Sequence, residues 1–106
     1  WWDRESVERA ARGASERAFA RRLASERRGA LRRLQAGSLE AWMQESWVLA
    51  RERIYLQLPS FACGSKSPFL VQLTPQARDA AAAIAREQLA RAGIRLAGVL
   101  NGALGR

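Results

Sequence analysis

SLEAWMQESWVLARERIYLQ, residues 38–57, reads as a helix with apolar side chains around most of its circumference. At about 100° per residue, Leu39, Trp42, Met43, Trp47, Val48, Leu49, Ile54, Tyr55 and Leu56 leave little polar surface. Such a helix belongs at the centre of a helical domain, covered on several sides. Ser38 provides an N-cap for it, and Gly37 stops whatever helix comes before. This segment points to an all-α fold.

Working outward, residues 14–35 have the period of a second helix. Phe19, Leu23, Leu31 and Leu34 fall in one stripe, with Ala20 and Ala30 between them. Downstream, residues 58–73 lose the helical period. Pro59, Gly64 and Pro68 punctuate a loop longer than most helix connections, with some extended character near 69–73. Thr74 followed by Pro75 opens a third helix, expected over 75–101. Its stripe is Ala81, Ala85, Leu89, Ala92, Leu96, Val99 and Leu100. The expected organisation is a short opening helical turn, three main helices and a long loop. Two helices of this length could hardly cover residues 38–57, so more protein is expected around them.

Composition narrows the chemistry. Among 106 residues there is no His and one Cys, Cys63, so no single chain can form a closed zinc site, a Ser-His dyad or a Cys-His pair. The ten acidic residues show no clustered motif for a carboxylate-only magnesium site. Taken alone, the chain supplies no catalytic residue. No apolar run approaches the roughly 20 residues of a membrane span. The formal charge is +8, and 17 of the 18 basic residues are Arg. That excess favours anionic partners such as nucleic acid or acidic lipid; a GC-rich genome would produce the same arginine usage.

Arg17, Arg21, Arg28 and Arg32 share a face of the 14–35 helix apart from its apolar stripe. Two readings fit: contact with the phosphates of a nucleic acid, or a solvated face that keeps the domain soluble. An interfacial membrane helix is a third, with Phe19 its one strong anchor. No aromatics interleave with these arginines, so no base-stacking platform is evident. Glu45 on the central helix could bond a neighbour, hold an outer-shell place near a metal, or face water. Ser46 has no general base beside it and is no nucleophile.

Three motifs occur in order: Trp2-Asp3, W-x-x-E-S-x-x-x-A over 42–50, and QLARAGIRLAGVLN over 88–101. In this respect the chain resembles the C-terminal part of the fungal-type single-strand-specific zinc nucleases, the S1/P1 type, of the helical superfamily that includes zinc-dependent phospholipase C. The resemblance implies a larger helical zinc-nuclease fold with three zinc ions. A Leu-His-x-x-Trp-Asp motif of that family makes Asp3 a metal ligand; the matching His would lie two positions before Trp1. The remaining ligands would come from a missing N-terminal part of the same protein, in keeping with the absence of an initiator Met. In such a centre the metals lower the pKa of a bound water and neutralise charge building on phosphate. Two positions depart from the family pattern. Ala77 stands where an aromatic is common, and Glu5 where a Tyr often follows the motif Asp.

The resemblance makes the parent protein a secreted or periplasmic zinc-dependent endonuclease or phosphodiesterase. Its substrate is single-stranded DNA or RNA, with 3′-nucleotides a further candidate, and the isolated chain is expected to be inactive. The contrasting expectation is a non-catalytic basic helical module that binds nucleic acid through Arg17, Arg21, Arg28 and Arg32.

Overall fold

The computed structural model describes residues 4–57 and 72–105, and over them the chain is all-α. Helix α1 spans Glu5–Ala11 and ends at Arg12, which takes left-handed backbone (φ 53, ψ 46). Gly13 continues the turn with φ 73. Helix α2 spans Glu16–Glu26, opened by Ser15, whose side chain accepts from the Ala18 N–H at 3.3 Å.

The helix expected over 14–35 is interrupted. Arg27 leaves helical geometry (φ −108, ψ 7), a single 3-10 turn follows at Arg28–Ala30, and α3 resumes at Leu31–Gln35. Gly29 weakens helix propensity there, but tertiary contacts on α5 fix the break. Gln35 Nε2 donates to the Ile94 carbonyl at 3.1 Å, and Arg95 Nε donates to the Leu34 carbonyl at 3.2 Å. A straight continuation of α2 would carry α3 away from these partners. The approach is close: a Cβ at Gly98 would stand 3.0 Å from the Gln35 side chain.

Helix α4 spans Leu39–Arg53 and ends in a 3-10 turn at Tyr55–Gln57. Ser38 caps it as the sequence predicts, accepting from the Ala41 N–H at 3.2 Å. Trp42 Nε1 reaches back to the Ala36 carbonyl at 3.0 Å and pins the α3–α4 turn. Helix α5, Pro75–Ala103, is the spine of the fold. Thr74 caps it by accepting from the Ala77 N–H at 3.1 Å. Helices α1, α2 and α3 all pack along it.

The buried cluster is Ala10, Phe19, Leu23, Ala82 and Ala90, with Ala11 and Ala14 against it. The buried face of α5 is therefore not the full stripe expected from its leucines. Ala81, Ala82, Ala90 and Ile94 are buried, whereas Leu96 and Val99 are 59% and 51% exposed. The reason is steric: alanines let three short helices come close to α5, and Leu96 and Val99 are left lining the open groove beside α4. Helix α4, expected at the centre, keeps much of its apolar surface open, with Leu39 69% and Met43 72% exposed. Its ties to α5 are ionic, and an apolar groove lies on either side of them.

Candidate functional site

Glu45 of α4 is where two of the sequence motifs meet. Arg91 Nη1 donates to its Oε1 at 2.5 Å and Arg95 Nη2 to its Oε2 at 2.7 Å. The Arg95 guanidinium also lies over the Trp42 ring, 5.0 Å from its centroid. Trp42 and Glu45 of W-x-x-E-S thus engage Arg95 of the A-G-x-R-L-A segment. Ser46 is spent locally, its hydroxyl donating to the Trp42 carbonyl at 3.0 Å.

The clasp extends through alternating charges. Arg91 Nε binds Glu87 Oε1 at 2.8 Å, Glu87 Oε2 receives Arg27 Nη2 at 2.5 Å, and Glu26 pairs with both Arg27 and Arg86. One ladder of carboxylates and guanidiniums therefore joins α2, α4 and α5. The hydrogen bond from Arg95 holds the Glu45 carboxyl below its ordinary range, helped by Arg91 and opposed by partial burial. Arg91 and then Arg27 lower Glu87 in the same way, and Arg91 is raised in return.

These directions fix a pH dependence. A carboxyl depressed in the folded state adds stability above its unfolded pKa, about 4.3, and loses it as pH falls through the folded value. The urea midpoint is expected to stay level from neutrality to about pH 5, then to fall in more acid solution. The double variant Glu45→Gln/Glu87→Gln should show a shallower acid limb. An acid limb of unchanged steepness would remove the two carboxyls from this role.

Asp3 and Cys63 lie outside the described residues. Arg17 and Arg21 stand on α2, Arg28 in the 3-10 turn and Arg32 on α3, so the break at Arg27 divides the single helix face expected of them. All four are exposed, and none has an ion pair among the described residues. The two departures from the family pattern have local uses. Ala77 serves the Thr74 cap, and Glu5 Oε1 lies 4.0 Å from Arg78 Nη1.

No group of three or more His, Cys, Asp or Glu side chains that could hold a metal occurs among the described residues. Glu26, Glu45 and Glu87 are instead committed to guanidiniums. The described residues therefore do not fit a zinc cluster. No helix among them is long and apolar enough to cross a membrane.

Fold and site together define an all-α chain in which two distant sequence signatures close on one ionic clasp. The family model of the S1/P1 nucleases matches residues 1–105, and the chain belongs to that family. Nuclease-type function with a nucleic-acid substrate follows from that membership, and the family is zinc-dependent. No curated protein and no solved structure gives a significant match.

The sequence reading marked Trp42, Glu45 and the 88–101 segment but missed that Arg95 and Arg91 are the partners of Glu45. The signal was present as Glu87, Arg91 and Arg95 at four-residue spacing, which places them on one face of α5.

Proposed function

We propose that this chain is the C-terminal portion of a secreted or periplasmic zinc-dependent endonuclease that hydrolyses single-stranded nucleic acid, with 3′-nucleotides as further substrates. Asp3 serves as its carboxylate metal ligand, and the 106-residue chain alone is inactive. The family match across residues 1–105 carries this reading. In this reading the zinc ligands other than Asp3 come from outside the described residues, which hold no metal-capable cluster. The exposed apolar side of α4 is in keeping with further protein around it. Within that enzyme the Glu45–Arg91–Arg95 clasp holds α4 and α5 as a rigid wall.

A second reading has its own observation. The exposure of Arg17, Arg21, Arg28 and Arg32, without ion pairs among the described residues, favours a non-catalytic nucleic-acid-binding module. An assay on single-stranded and duplex DNA with the protein carrying these residues separates the two. Hydrolysis of single strands that stops on chelation and returns with zinc is the expected result. Binding with no turnover under any zinc concentration, weakened by Ala at those four arginines, would establish the module instead.

A further inference from the structure

Helices α1, α2 and α5 enclose a cleft of about 670 Å³ lined by Arg9, Arg12, Arg22 and Arg86, with Glu26 and Asp79 as its acids. Alanines of α1 and α5 form the rest of the lining and leave room at its base. Four guanidiniums face two carboxylates, and the pairing is incomplete. Arg9 Nε binds Asp79 Oδ1 at 2.7 Å, and Arg86 pairs with Glu26. Arg12 is exposed and has no ion pair among the described residues. Arg22 donates from Nη2 to the Ala11 carbonyl at 3.0 Å, while its Nε is buried with no hydrogen-bond partner among the described residues. Arg12 and Arg22 are therefore the two guanidiniums of the cleft without a carboxylate partner among the described residues, and an anion would complete the pairing.

The cations are also held in place. The Arg22 and Arg86 guanidiniums lie over the Phe19 ring at 5.4 and 5.7 Å from its centroid. Cation–π contacts of this kind restrain the two guanidiniums before a ligand arrives, and planar guanidinium forks match phosphate oxygens. The volume lies in the range of small-ligand sites, about 300–1,000 Å³. Neither carboxylate is free to repel an anion, because each is already neutralised by an arginine.

We propose that this cleft binds a backbone phosphate of a single nucleic-acid strand, as a site formed wholly by α1, α2 and α5. The proposal rests on the nucleic-acid substrate of the reading above. It assigns strand contact to Arg12 and Arg22 and not to the divided surface of Arg17, Arg21, Arg28 and Arg32.

Anisotropy of a fluorescent oligothymidylate, followed over a salt series in a chelating buffer, tests it on the protein carrying these residues. Arg12→Asn removes the charge while suiting left-handed backbone, which Asn adopts readily. It is expected to weaken binding several-fold and to flatten the slope of log affinity against log salt by about 0.7, one phosphate contact on a single strand. Arg53→Gln, the same change in charge on the exposed end of α4, should leave the slope alone. Equal losses from the two variants, or none from Arg12→Asn and Arg12→Asn/Arg22→Gln, would overturn the proposal. So would a site for inorganic phosphate alone, seen as phosphate binding that Arg12→Asn abolishes while strand binding is untouched. The chelator keeps the two readings separable. Zinc-dependent hydrolysis with Arg12→Asn binding normally defeats the cleft alone. Arg12-dependent strand binding in a protein that never hydrolyses defeats the nuclease alone.

Discussion

Arg95→Ala is expected to lower the free energy of unfolding by about 3 kcal/mol, the scale of removing one partner from an enclosed ion pair. The Arg95 side chain is only 11% exposed. It holds three groups on two elements at once: Glu45 of α4 at 2.7 Å, the Leu34 carbonyl of α3 at 3.2 Å and the Trp42 ring of α4 at 5.0 Å. Truncation to Ala removes all three and leaves Glu45 with Arg91 alone. Arg95→Lys keeps the charge but cannot reach a carboxylate and a carbonyl with one planar fork, so it should recover well under half of the loss. Urea unfolding followed by circular dichroism measures both. An unchanged midpoint in the Ala variant would show that the clasp is ornamental.

Asp3→Ala is expected to reduce single-strand hydrolysis by about 100-fold or more and to lower zinc content below that of the parent enzyme. Loss of even an outer-shell partner costs about 10- to 100-fold at metal sites, so loss of a ligand should cost at least the upper figure. The expectation rests on the match of Trp2 and Asp3 to the family's Trp-Asp motif. The urea midpoint of the apo protein should not move, which distinguishes a lost ligand from a damaged fold. Full zinc content together with full activity in this variant would end the assignment of Asp3.

Much of the fold was legible because helix ends are written locally. Gly37, Ser38, Thr74 and Pro75 act within a few residues of themselves, and the structure uses them as the sequence predicts. The break at Arg27 was not legible. The run around it keeps helix-forming residues, and only Gly29 argues against continuation. The break depends on Gln35 and Leu34 finding partners about 60 residues away on α5. The buried face of α5 was misread for a related reason. Periodicity drew one stripe through Ala81, Ala85, Leu89, Ala92, Leu96, Val99 and Leu100, and its small residues were expected to admit a neighbouring helix, whereas the face that is buried runs through Ala81, Ala82, Ala90 and Ile94. The motifs were visible as words, and the four-residue spacing of Glu87, Arg91 and Arg95 marks one face of α5, but nothing local names Glu45, 50 positions away, as the partner of Arg95. The arginine cleft draws on α1, α2 and α5, so no single helical wheel shows it.

Every cation in the ladder from Arg86 to Arg95 is an arginine, and the chain holds a single lysine among its 18 basic residues. A lysine in such a joint would surrender its proton near pH 10.4, but a guanidinium does not do so in any solution a folded protein meets. Among the described residues, the seam's weakness lies on the acid side, at Glu45 and Glu87, and in strong salt.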